Sequence, residues 1–417
     1  MIPVEWKRRL KLAWHVLTQD SPDATSTDAS DEDTPSGCPL DSIVTLAACP
    51  VCGHADRTLV CEFNKFVLMA RPPDEAACRY DYALCHGCGV VYASRRPIGE
   101  RYQWLFTHFE ETIGRADTGL RSVRKLTLSA FTLNDDERAE LRRALQKGVF
   151  VSDHHGVSRK DYVPSLLPDR LAVAPHVELL GSLLDLKGSR TLEIRSRSGA
   201  LSAALSRLYG VQATATSPFE HQRLVTRELY GIPSFPMDFE TFVVPEGGPY
   251  NLIVSNHFLT HAVQPKCFLA AVRQALVPGG HLYLYNEPDE GEFTAEGRSM
   301  FNTLNAFHLQ TFDGPSLVRI LAANRFEVVF QSQHGGSFIC LARAVPEPAA
   351  VSLAPKDLAD RRRRYAHARD VALMSAPEHV RPRFGSLWQE AADRTLAAGE
   401  AEVDHTGRVR LRKVRRS

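Results

Sequence analysis

Residues 250–288 read YNLIVSNHFLTHAVQPKCFLAAVRQALVPGGHLYLYNEP. An apolar run ends in the polar pair Ser255 and Asn256, a helix-length amphipathic segment follows, and Pro278-Gly279-Gly280 precedes a second apolar run, HLYLYN. A continuous apolar strand bounded by turn residues is the mark of a strand buried on both faces. Two such strands separated by a helix make a β-α-β unit with parallel strands.

The alternation extends outward from this unit. Between about residues 175 and 345, short apolar runs (TLEI, VQATAT, YNLIVSN, HLYLYN, FEVVFQ, SFICLAR) are separated by amphipathic segments of helix length. That order predicts an open α/β sheet with mostly parallel strands. Residues 101–174 read as a helical connector, ERAELRRALQK ending at a glycine being its clearest stretch. Residues 346–417 form an alanine- and arginine-rich tail, helical in part and basic at GRVRLRKVRRS. Upstream, residues 1–44 comprise a short basic amphipathic helix, with Trp6, Leu10, Trp14 and Leu17 at helical spacing, and a Ser/Thr/Asp/Pro-rich linker with almost nothing to bury.

Residues 45–100 hold two Cys-x-x-Cys turns, CPVCG and CHGCG, with residues 53–84 between them. A Cys-x-x-Cys turn puts two sulfurs on one side of an ion with little loss of chain entropy, and two turns complete a tetrahedral thiolate shell. Cys49, Cys52, Cys85 and Cys88 are therefore the expected zinc ligands, in a small β-rich module whose glycines let each turn bend back toward the metal. Cys61 and Cys78, between the pairs, read as ordinary buried thiols, and His86 as a residue facing away from a filled site.

Lysine plus arginine (50) balance aspartate plus glutamate (49), so no overall field favours nucleic acid. The segment between the cysteine pairs has no basic stripe with interleaved aromatics, which also argues against a nucleic-acid partner. The first residues lack the apolar core and cleavage site of a secretory signal, and no stretch approaches the roughly 20 apolar residues of a membrane span. The expectation is a cytoplasmic protein without a transmembrane segment. An odd count of nine cysteines suits metal ligation better than a disulfide framework.

Over roughly residues 45–345 the chain resembles the class I S-adenosylmethionine-dependent methyltransferases. TLEIRSRSGAL (191–201) stands where that family has its first strand and glycine-rich cofactor turn. Glu193 matches the acidic position and Gly199 the last glycine, while Arg195 and Arg197 replace the first two glycines. Ser217 ends the second strand, where the family has a carboxylate for the ribose hydroxyls. Asp238, in FPMDFETF, matches the acidic residue that contacts adenine, and Asn256 ends the fourth strand at the cofactor crevice. The cysteine pairs, together with NTLNAFHLQTFD and QHGGSFICLAR, are similar to a zinc-containing subgroup that C-methylates nucleotide-linked deoxysugars. His308 matches that subgroup's last histidine, used near the substrate, and Phe307 replaces the glutamate before it.

The resemblance implies a Rossmann-like methyltransferase sheet behind an N-terminal zinc module, with S-adenosylmethionine and zinc as cofactors. The expected partner is a small-molecule acceptor, a sugar or natural product. His308 is the candidate general base, since imidazole titrates near neutral pH, and Glu287, just past the fifth strand, is the alternative. A helix-capping role for Glu287 and a packing role for His257 and His261 remain open beside these. Arginine at two glycine positions and Ser217 in place of a carboxylate leave a second reading standing: a degenerate methyltransferase fold kept as a binding or scaffolding subunit.

Overall fold

The computed structural model describes residues 43–64, 80–103, 162–196, 199–288, 307–334, 337–347, 358–376, 378–405 and 408–412, with isolated pieces at 135, 138–139, 150–151, 158–159, 290 and 304. The expected N-terminal helix and linker, Cys78, Arg197 and most of the connector lie outside these residues.

The cysteine-rich segment forms β1 (Ile43–Thr45), β2 (Arg57–Cys61), β3 (Asp81–Cys85) and β4 (Val91–Pro97), an antiparallel sheet in the order β1-β4-β3-β2. Two short paired strands follow, β5 (Phe150–Val151) and β6 (Ser158–Arg159). The main sheet takes β7 (Arg190–Ile194), β8 (Gln212–Ser217), β9 (Ser234–Pro236), β10 (Tyr250–Asn256), β11 (Leu276–Pro288), β13 (Phe326–His334) and β14 (Ser337–Ala344). Its order is β13-β14-β11-β10-β7-β8-β9, and the five strands from β11 to β9 run parallel. β14 lies antiparallel to β11, and β13 antiparallel to β14. The continuous apolar character of β10 and β11 follows from this topology, since Leu252 to Val254 and Leu282 to Leu284 are all buried.

The helices are α1 (Tyr162–Leu183), α2 (Ala200–Tyr209), α3 (Glu220–Tyr230), α4 (Pro265–Ala275), α5 (Gly314–Ala323), α6 (Leu358–Met374) and α7 (Ser386–Ala397). Local chemistry explains their limits. α4 opens on Pro265, which needs no N–H partner in a first turn. α5 opens on a capping box, where Asp313 accepts from the Ser316 N–H at 2.8 Å and the Ser316 hydroxyl lies 3.0 Å from the Asp313 N–H. Gly210 and Gly231 end α2 and α3 in left-handed conformations.

The cysteine module and the main sheet share one hydrophobic core. β12 (Gln310–Thr311), sent out from the segment after β11, pairs antiparallel with Val91 and Tyr92 of β4. The C-terminal segment also packs inward. Arg361 of α6 is buried, binds Glu290 at 2.6 and 2.7 Å and donates to the carbonyl of Gly89, next to the second cysteine turn. The Tyr365 hydroxyl lies 3.0 Å from that of Thr311, and the Phe384 ring sits 5.0 Å from Phe63. Two further short strands, β15 (Ala401–Val403) and β16 (Val409–Leu411), close this segment as a hairpin. Among the described residues, no helix is long and apolar enough to cross a membrane.

Candidate functional site

Ligands of an open parallel sheet bind outside the carboxyl ends of its strands, beside the point where strand order reverses. Here β7 is that point, flanked by β8 on one side and β10 on the other. Three non-glycine residues adopt left-handed backbone at the ends of the central strands: Arg195 after β7 (φ 54°), His257 after β10 (φ 49°) and Asn286 in the bulge of β11 (φ 61°). Such conformations cost of order 1–3 kcal/mol each and gather at functional sites. Arg195 thus takes up the positive φ that a glycine would adopt, and its guanidinium reaches across to the carbonyls of His257 (3.2 Å) and Asn256 (3.4 Å).

The residues aligned with cofactor positions are largely engaged within the protein. Glu193 is buried in β7, where it accepts from the Ser202 N–H (3.1 Å) and hydroxyl (2.5 Å) at the start of α2. Burial pushes its carboxyl above the usual carboxylate range, against the pull of those hydrogen bonds. Gly199 caps α2 with φ 80°, and a Cβ there would stand 2.7 Å from Cγ2 of Thr226 on α3, so its smallness serves the approach of two helices. The Ser217 hydroxyl bonds the side-chain oxygen of Gln222 and accepts from the Phe219 N–H at 3.3 Å. Asp238 accepts from the Glu240 N–H at 2.6 Å, and the Asn256 side chain accepts from Asn286 at 2.9 Å.

Beside Asn256 lies a cluster that the sequence did not single out as a unit. The rings of His257, His261 and His308 have centroids 4.5–5.2 Å apart, and one nitrogen from each falls within 4.8 Å of the others. His261 and His308 are buried, and His257 is half-buried. The turn that carries the first two is held from behind. Glu287 accepts from the Leu259 N–H (2.9 Å), the Thr260 N–H (3.0 Å) and the Thr260 hydroxyl (2.7 Å), while Gln310 donates to the carbonyls of Leu259 (2.5 Å) and Ala262 (2.8 Å). Burial raises the Glu287 carboxyl, and its bonds to Thr260 and Leu259 work the other way. His261 Nδ1 lies 2.8 Å from the Phe307 carbonyl, which makes Nδ1 the donor and leaves Nε2 as the basic nitrogen. Burial, then the charge of Arg195, holds this imidazole well below its ordinary pKa, so it is neutral. The only sequence signal for the cluster was HFLTH, with His308 some 50 residues on.

The four cysteines converge as their spacing requires. Cys49 and Cys88 sulfurs stand 3.8 Å apart, Cys52 and Cys85 sulfurs 3.5 Å, and all four lie within 4.8 Å of one another. A tetrahedral ion with metal–sulfur bonds of ~2.3 Å places its ligands ~3.8 Å apart, so the donor set fits zinc. The turns close through Gly53 N–H to Cys49 O (2.9 Å) and Gly89 N–H to Cys85 O (3.0 Å), with both glycines left-handed. His86 faces away, its Nε2 2.8 Å from the Thr58 hydroxyl. Cys61 is a buried thiol pushed up to about 12 by burial.

The family comparison agrees with the sheet. A family described as "Methyltransferase domain" matches residues 167–331. The fold is similar to the 1,6-didemethyltoxoflavin-N1-methyltransferase of Burkholderia thailandensis, solved with 1,6-didemethyltoxoflavin and S-adenosylhomocysteine (15% identity, 50% of this chain and 87% of that one, TM-score 0.35). It is similar also to the magnesium protoporphyrin IX methyltransferase of Synechocystis with bound S-adenosylhomocysteine (15%, 45% and 90%, TM-score 0.34) and to an S-adenosylmethionine-dependent methyltransferase of Methanosarcina mazei (16%, 40% and 98%, TM-score 0.35). No curated protein matches the chain at a significant level of sequence similarity. The strand order with its antiparallel edge pair and the family match together define a Rossmann-like class I methyltransferase fold, preceded by a four-cysteine module.

Proposed function

We propose that the chain is an S-adenosylmethionine-dependent methyltransferase acting on a small-molecule acceptor of the nucleotide-linked sugar or natural-product class, with one structural zinc on Cys49, Cys52, Cys85 and Cys88. The observation that carries it is the histidine cluster at the carboxyl ends of the central strands of a methyltransferase sheet, beside Arg195 and Asn256. Glu193, Gly199, Ser217, Asp238 and Asn256 are the proposed donor-side residues. Glu193 and Gly199 shape the loop from within the protein, and Ser217, Asp238 and Asn256 lie at strand ends where a nucleoside is read.

S-adenosylmethionine supplies an electrophilic methyl on a sulfonium leaving group. The chain then has to hold the acceptor in line and exclude water. His308 is the proposed proton acceptor where the acceptor atom carries a proton, being an imidazole beside the crevice. Glu287, the other candidate base, has both carboxyl oxygens committed to the Leu259–Thr260 turn, which favours its acting through the placement of His257 and His261.

One observation favours the scaffolding alternative: the Arg195 guanidinium spans from β7 to the end of β10, across the strand ends where a ligand of such a sheet binds. Calorimetric titration with S-adenosylmethionine separates the two. Micromolar binding supports the enzyme, and an absence of heat at millimolar donor assigns the chain to the scaffolding class. His308→Ala should abolish turnover and leave donor affinity within about threefold. For the zinc, Cys52→Ser should lower the metal content by one equivalent per chain and unfold the module.

A further inference from the structure

We propose that His257, His261 and His308 form a second metal site, taking a first-row divalent ion such as zinc, iron or nickel, with a coordination position open toward the crevice. Three features of the cluster support a site rather than a packing contact. Its three nitrogens lie within 4.8 Å of one another, whereas an ion with ~2.1 Å bonds to nitrogen sets tetrahedral ligands ~3.4 Å apart, so closure needs little more than ring rotation. The His261 Nδ1 bond to the Phe307 carbonyl is the outer-shell contact that fixes a ligating imidazole's tautomer and turns Nε2 inward. The ligand-bearing backbone is also clamped on several sides: by Glu287 at 259–260, by Gln310 at 259 and 262, and by the Tyr102 hydroxyl, 3.0 Å from the His261 carbonyl and 2.7 Å from that of Phe307.

Arg195 brings one positive charge toward the cluster, and the Glu287 carboxyl stands at the 259–260 turn between two of its histidines. Three imidazole ligands suit zinc, iron, nickel or copper and disfavour magnesium or calcium, which take oxygen ligands. His257 and Arg195 are the members partly open to solvent, so the free position faces them and takes an anionic oxygen, a carboxylate or alkoxide of the acceptor. This deepens the methyltransferase reading and rests on the same crevice. An imidazole that holds an ion cannot take a proton, so His308 is a ligand in the loaded chain and a base only in the ion-free one.

Cobalt(II) tests the site without any activity measurement, so its failure and that of donor binding remain distinct. The full chain, with its cysteine site filled, is analysed for metal and then titrated with cobalt. The site predicts either two metals per chain as purified, or one further equivalent of cobalt that develops ligand-field absorption without a thiolate-to-metal charge-transfer band. His257→Asn keeps a residue that tolerates left-handed backbone. It and His308→Ala should each lose that equivalent while retaining the cysteine-bound metal and parental circular dichroism. One metal per chain with no cobalt uptake would overturn the proposal. So would uptake unchanged in both variants.

Discussion

His176 is enclosed by the aromatic rings of β11, its centroid 4.6 Å from that of Tyr285 and its Nδ1 2.7 Å from the Tyr283 hydroxyl. Burial lowers its pKa to about 4. The unfolded chain binds this proton near pH 6.5 and the folded chain only near 4, so stability is complete above pH 6.5 and falls as pH drops from there toward 4. Between pH 7 and pH 5 the loss amounts to about 2 kcal/mol. Urea midpoints should shift accordingly, and His176→Gln should flatten that part of the profile. At the same scale, Arg195 shows where sequence reading stops. RSRSG offers glycine only at 199, so an arginine in the left-handed region after β7 has no local signature. The resemblance flagged the position as a departure, but what the side chain does instead, spanning to the end of β10, is decided by residues about 60 positions away.

The elements of the main sheet were legible because two-sided burial writes itself as unbroken apolar runs, and YNLIVSN and HLYLYN are the clearest. Helix contacts are less visible. Gly199 read as part of a cofactor turn, yet its lack of a side chain also admits Thr226 of α3. Gly199→Ala combines a left-handed alanine with a 2.7 Å clash. It should cost about 1–3 kcal/mol in chemical denaturation. Adding Thr226→Ala should return the part due to the clash and leave the part due to the backbone, which separates packing from conformational strain. β12 was beyond reach for a different reason: a two-residue strand has no period, and its partner in β4 lies about 220 residues earlier.

Across the whole molecule, α6 and α7 prove to contribute to the core. RRRR at 361–364 looks like a solvated charge run, yet Arg361 shares one helical face with Tyr365 and Ala368 and is buried with them. Its pairing with Glu290 joins α6 to the segment just past β11, and its bond to the Gly89 carbonyl joins it to the cysteine module. Arg361→Ala leaves a buried carboxylate uncompensated and should destabilise the fold by about 3–5 kcal/mol. Arg361→Met with Glu290→Leu should recover most of that loss in thermal melts, since an apolar pair needs no desolvation.

The β4–β12 pairing also has a temporal side. During synthesis the cysteine module is complete long before residues 310–311 emerge, and at ~5–20 residues per second the interval is about 10–40 s. Over that time, the stretch of β4 at Val91–Tyr92 beyond the reach of β1 offers an unsatisfied strand edge, the kind of surface that recruits neighbouring chains. A nascent chain stalled within the methyltransferase sheet would therefore be adhesive at its N-terminal module, and release from that state waits on the same short segment that brings His308 to the crevice.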